Sequence, residues 1–168
     1  MTTISIIVAT AIYVAYNAIS LALFGIPESL SNTYYLRKDK NGKGYLFCLM
    51  MYAVVAFMMP AWITLSEDSN FQFLAFLAPS AIAFVGTAPA FKSDDLENVV
   101  HSTAAIVAAI CSLAWVAAIT PYWWMIHVWF GFIALASILT SSYKTCLVYW
   151  LEQVAFGATF TSAILYGI

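Results

Sequence analysis

Six apolar stretches alternate with short polar connections along this chain, at residues 4–24, 45–65, 71–91, 94–119, 122–141 and 145–167. A helix rises about 1.5 Å per residue, so roughly 20 residues cover the ~30 Å hydrocarbon core of a bilayer. The pattern therefore predicts an all-α, polytopic integral membrane protein: a bundle of six transmembrane helices, with residues 1–168 forming a single transmembrane domain. The connections carry the turn chemistry. Residues 25–44, GIPESLSNTYYLRKDKNGKG, are the longest polar segment, Glu67 and Asp68 separate the second and third stretches, and Thr120-Pro121 makes a tight hairpin between the fourth and fifth. Pro79, near the middle of the third stretch, predicts a kink that frees a backbone carbonyl, and Pro89 stands near its end. No repeat in residue identity is visible, and unequal loops and polar positions argue against an inverted duplication of three spans each. The amino-terminal stretch has no positive n-region and runs on to Pro27 without a small-residue cleavage pattern. It is expected to be a first span rather than a removed signal peptide.

Charge orients the prediction. Arg37, Lys38, Lys40 and Lys43 lie in the first connection, Lys92 in the third and Lys144 in the fifth, and these are all the basic side chains. Loops rich in Lys and Arg stay cytoplasmic, so both termini are expected outside. The aromatic residues agree: Trp62, Phe71, Phe73, Tyr122, Trp123 and Trp124 would line the outer interface, and Tyr34, Tyr35, Tyr45, Tyr143 and Tyr149 the inner one. The expected location is a cell membrane, plasma or inner.

Composition supports lipid as the solvent. The chain is 64% hydrophobic and 8% charged, whereas a soluble domain carries about 25% charged residues. Six spans also leave no length for a soluble domain. The formal net charge of −2 and the lack of a basic cluster beyond the first loop imply no nucleic-acid partner. The partners expected are the bilayer, a small-molecule ligand, and other membrane chains in a homo- or hetero-oligomer. Cys48, Cys111 and Cys146 are dispersed in apolar stretches without C-x-x-C spacing, which reads as packing rather than a disulfide framework or zinc site.

Candidate chemistry comes from polar groups that lipid would reject. Glu152 lies eight residues into the sixth stretch, about 12 Å from its end at helical rise. An acidic side chain near a helix centre costs about 2.5–3.5 kcal/mol to insert, somewhat less at this depth, so Glu152 is expected to face other helices. Thr159, Ser162 and Tyr166 continue its stripe. On the first stretch Thr10, Tyr13, Asn17 and Ser20 recur at helical spacing, and Asn17 stands at a similar depth. An Asn17–Glu152 bond closing the bundle is one reading, and a proton or cation site is the other. Such polar pairs contribute only about 0.6 kcal/mol on average, so bundle closure by itself is a modest role.

A third feature opens the fourth stretch, where Asp94, Glu97 and His101 share one helix face. Carboxylates in a first turn suit the helix dipole, which is the ordinary explanation. A carboxylate–imidazole proton relay or a polar ligand site is the functional one. A metal is not expected, because no second His or Cys stands beside them and H-E-x-x-H is absent. His127, beside Trp123 and Trp124, reads as a structural interfacial residue. Glu28 and Tyr34 in the first loop, with Lys92 and Asp94 across from them, would form the mouth of a pocket whose inner groups are Asn17, Glu97, His101 and Glu152.

No G-x-S-x-G, serine–base pair, phosphate-cradling glycine loop or channel filter occurs. No cofactor is implied, and two histidines are too few to ligate two haems. The expectation is a small, non-enzymatic multi-pass protein that binds or translocates a small solute or proton through a cytoplasm-facing polar pocket. Two rivals are an embedded enzyme acting on a lipid-like substrate, with Glu97 and His101 as acid and base, and a structural or assembly subunit of a membrane complex.

Overall fold

The computed structural model describes residues 2–89, 91–93 and 95–168, and all regular structure among them is helical. Seven helices follow in order: α1 (Thr2–Phe24), α2 (Asn32–Asn41), α3 (Tyr45–Leu65), α4 (Leu74–Thr87), α5 (Asp95–Ile119), α6 (Met125–Leu139) and α7 (Leu147–Gly167). Each predicted apolar stretch contains one of them, and α2 is an additional helix in the basic connection. By length and composition α1, α3 and α5 are able to cross a membrane, while α4 and α6 are apolar but shorter, at 14 and 15 residues. The apolar run of α7 is interrupted by Glu152 and Gln153.

The shortening of α4 and α6 has local causes. Ahead of α4, Ser69, Gln72 and Leu74 donate to carbonyls three residues back, a run of tight turns rather than α-helix. At its other end Ala88 precedes Pro89, whose ring disfavours helical geometry in the residue before it, and the Ala88 φ of −108° and ψ of 62° are not helical. Residues 121–124 are likewise wound into turns, with Met125 and Ile126 donating three residues back to Tyr122 and Trp123. The chain leaves α6 through Ser141 at a φ of 54°. Apolar structure thus continues past the α-helical part of both elements. Helix α2 stops at Gly42, which has a φ of 72° and donates to the Lys38 carbonyl while Lys43 donates to Arg37. This left-handed cap is one glycine makes without strain.

Helices α1, α3, α4, α5 and α7 pack in a closed ring, each against the next and α7 back against α1. Small residues permit the close approaches: Ala75, Ala78 and Ala81 on α4, and Ala104, Ala108 and Ser112 on α5, are buried. Gly86 on α4 brings its backbone against the Met51 side chain of α3. The far ends of α1 and α7 are joined by a hydrogen bond from Thr3 to the Gly167 carbonyl. Helix α6 lies outside the ring against α7 and buries only Ile133 and Ser137. Its Trp129 ring covers Gly157, where a methyl group would overlap it, and donates to Thr161 at 3.0 Å. Large apolar side chains such as Ile7, Phe57, Phe84, Ile110, Phe132 and Leu151 point outward from every long helix. A water-soluble monomer rarely exposes so much continuous apolar surface, but a lipid-facing one does.

Candidate functional site

The ring encloses a slot lined by four of its helices. From α3 come Met51, Val54, Met58 and Trp62, from α4 Pro79, Ile82 and Val85, from α5 Ala105, Ala108 and Ser112, and from α7 Glu152, Phe156, Thr159 and Phe160. The cavity between these atoms is about 60 Å³, so the slot is narrow. Its walls are almost wholly hydrocarbon, and Ser112, Thr159, the Trp62 indole and Glu152 supply the polar atoms. The Ser112 hydroxyl donates to the Ala108 carbonyl of its own helix at 2.6 Å. Thr159 Oγ1 and Trp62 Nε1 are buried with no hydrogen-bond partner among the described residues, an unusual state for two polar groups beside one cavity.

Aromatic stacking backs the Trp62 side of the slot. That ring lies on Trp115 with centroids 4.8 Å apart and planes 11° from parallel, and Trp115 donates its indole N–H to Ser66 at 2.7 Å. At the opposite end stands Glu152, near the start of α7, where the connection between α1 and α2 folds over the bundle. Leu30 donates its backbone N–H to Glu152 Oε2 at 2.6 Å, Tyr149 donates its N–H to the Glu28 carbonyl at 3.1 Å, and the Cys146 thiol reaches the Ile26 carbonyl at 3.5 Å. Residues 26–30 are a strap pinned to α7. A strap without secondary structure leaves its backbone N–H groups in need of acceptors, and a buried carboxylate oxygen is a strong one.

Beside the strap, α1 and α7 share a polar seam. Tyr149 donates to Asn17 Oδ1 at 3.2 Å, and Tyr13 donates to Gln153 Oε1 at 3.0 Å. The predicted partners Asn17 and Glu152 thus both face the bundle but bond elsewhere, Asn17 to Tyr149 and Glu152 to Leu30. Their depths match. Their sequence positions could not show that the strap would reach the carboxyl first.

His101 is buried and lies outside the slot lining. Its Nδ1 is 2.9 Å from the Ala88 carbonyl, and its ring stacks on Phe91 at 4.4 Å. It fastens the end of α4 to α5, using the carbonyl that the turn at Pro89 leaves without a helical partner. Glu97 is half-buried one turn away on α5. Of the residues expected at the mouth, Glu28 and Lys92 form an ion pair at 3.0 Å, and Lys92 also donates to Asn32 Oδ1 at 2.8 Å. The Lys92 backbone N–H donates to Tyr35 at 2.8 Å, so the loop after α4 is held to α2. Tyr34 packs edge-on to Tyr35 and close to Gly44. Asp94 lies outside the described residues. Glu28, Lys92 and Tyr34 sit on the same end of the bundle as Glu152 without lining the slot, and His127 is exposed on α6 against Trp123. Among the described residues no group of three His, Cys, Asp or Glu side chains is placed to hold a metal.

The sequence pattern places Trp62 in the outer aromatic interface and Arg37 among the bases of the first connection, yet both are buried. For Arg37 a signal was present: Thr33 and Arg37 are one turn apart and form the inner face of α2. Comparison with family models, with curated proteins and with solved structures finds no match to this chain.

Proposed function

We propose that this chain is a six-span membrane protein that binds a small, largely apolar solute in the slot between α3, α4, α5 and α7, with Glu152 as the polar end of the site. The observation that carries the reading is a hydrocarbon-walled slot with one carboxyl, Glu152, on its lining among the described residues. An ion path would want polar groups along its length, whereas a molecule already dissolved in the bilayer enters an apolar slot without shedding a water shell. Selectivity then falls to width and to a few polar contacts. Glu152 and Thr159 offer them, with the Trp62 N–H as a donor. Six crossings are supported by the turns that lengthen α4 and α6 at their ends, and by the inward direction of Glu152 and Gln153, which removes the polar break in α7 from the lipid face. With the loops around Arg37, Lys92 and Lys144 in the cytoplasm and both termini outside, the Glu152 end of the slot faces the cytoplasm. Release toward that side would make the protein a carrier.

A brominated alkane tests the site. Titrated into the detergent-solubilised protein, 1-bromododecane quenches the indoles it reaches, and Trp62 is on the slot wall. The expected result is a saturable quenching component in the wild-type protein that is lost in Ala108→Phe, whose ring fills the slot, and reduced in the milder Ser112→Leu. Equal, non-saturating quenching in all three folded proteins would contradict the proposal.

A further inference from the structure

We propose that Arg37 is the base of a phosphate-binding site between α1 and α2, which takes the phosphate of an anionic phospholipid headgroup. Arg37 is 5% exposed. Its guanidinium lies over the Tyr16 ring at 4.7 Å and beside the Phe24 ring at 5.8 Å. The fork carries five N–H donors, and among the described residues its partners are hydroxyls alone, Ser20 Oγ at 2.9 Å from Nη2 and Tyr16. Nε is buried with no acceptor. No described carboxylate lies within ion-pair distance of it, and the Glu28 carboxylate pairs with Lys92 instead.

The neighbouring polar groups cannot supply the missing charge. Ser20 donates to the Tyr16 carbonyl, Tyr16 and Thr33 share a hydroxyl pair at 2.6 Å, and Thr33 donates to the Leu30 carbonyl. They are committed to one another and all are neutral. Contact with two aromatic rings offsets part of the cost of burying a cation, but leaves its charge uncompensated. A second cation stands close by, with Lys40 Nζ 5.2 Å from the same Phe24 ring. A guanidinium with free donors beside an ammonium suits a phosphate, which accepts paired N–H bonds from an arginine fork. The location favours a lipid as its carrier. Phe24 is the last residue of α1, at the basic end of the bundle, and Leu21 and Leu23 just before it are exposed apolar surface on which acyl chains can lie. The site is separate from the slot and does not depend on what occupies it.

Thermal unfolding in neutral detergent and phosphate-free buffer tests this, with phosphatidylglycerol, phosphatidylcholine and inorganic phosphate added in separate arms. The wild-type protein is expected to gain about 5 °C, saturably, from phosphatidylglycerol and little from phosphatidylcholine. A gain from inorganic phosphate as large as that from phosphatidylglycerol would assign the site to free phosphate rather than lipid, with the same chemistry. Arg37→Gln should lose the gain, Arg37→Lys should keep a fraction of it, and Lys38→Gln, which removes an exposed base, should retain it. If neither Arg37 variant folds, Lys40→Gln against Lys38→Gln decides, since only the former is expected to weaken the response. A wild-type protein indifferent to both anions, or equal responses in Lys40→Gln and Lys38→Gln, would overturn the site.

Discussion

Glu152→Ala is expected to lower the melting temperature in detergent by about 5–10 °C, while Glu152→Gln stays within about 2 °C of the wild type. The difference follows from what the carboxyl holds. Leu30 is fully buried, and its N–H donates to Glu152 Oε2 at 2.6 Å. Alanine leaves that N–H without an acceptor in an apolar setting, a loss of about 1–3 kcal/mol, and widens the end of the slot as well. Glutamine keeps a carbonyl oxygen at nearly the same place. The strap retains its other two attachments, from Tyr149 to Glu28 and from Cys146 to Ile26, so the variant should loosen it rather than release it. Thermal unfolding followed by tryptophan emission checks both values. Equal damage from Gln and Ala would show that the negative charge, and not an acceptor oxygen, anchors the strap.

Trp115→Ala should cost more, about 3–5 kcal/mol, because it empties the site of a fully buried indole and removes the backing of Trp62. Ser66 is buried as well, and its hydroxyl both donates to the Trp62 carbonyl at 2.7 Å and accepts from Trp115, so the same change breaks the link between the ends of α3 and α5. Trp115→Phe preserves most of the stack and loses the hydrogen bond, for which about 1 kcal/mol is expected. Denaturant titration of both variants separates packing from hydrogen bonding. A Trp115→Ala protein as stable as Trp115→Phe would mean that the stacked pair does not hold the ends of α3 and α5 together.

Much of the helical layout was legible in the sequence, since apolar stretches of span length leave the chain few choices besides helix. The α3 and α5 boundaries came out within a residue or so, because Gly44 and the turn at Glu67-Asp68 bound one and Thr120-Pro121 ends the other. The α4 start did not, since Phe71 and Phe73 carry the apolar run on either side of Gln72, and i to i+3 hydrogen bonds set residues 71–73 apart from the helix behind them. Helix α2 was read as a loop, because its ten residues have no apolar period to announce a helix in so polar a run. At the site, the inward direction of Asn17 and Glu152 followed from the cost of polar groups in lipid. Their partners did not, because the strap that bonds Glu152 is distant in sequence and its conformation comes from tertiary contacts. His101 was chosen for its chemistry. What places it against Ala88 is a carbonyl stranded by Pro89, visible only once α4 and α5 lie side by side.

The central claim is that the slot holds an apolar molecule, and native mass spectrometry of protein released from membranes in mild detergent tests it most directly. The wild-type chain should carry one small hydrocarbon-rich adduct that dissociates as collision energy rises, and the Ala108→Phe chain should emerge bare. An unadorned wild-type mass under the gentlest release, or the same adduct on Ala108→Phe, would contradict it.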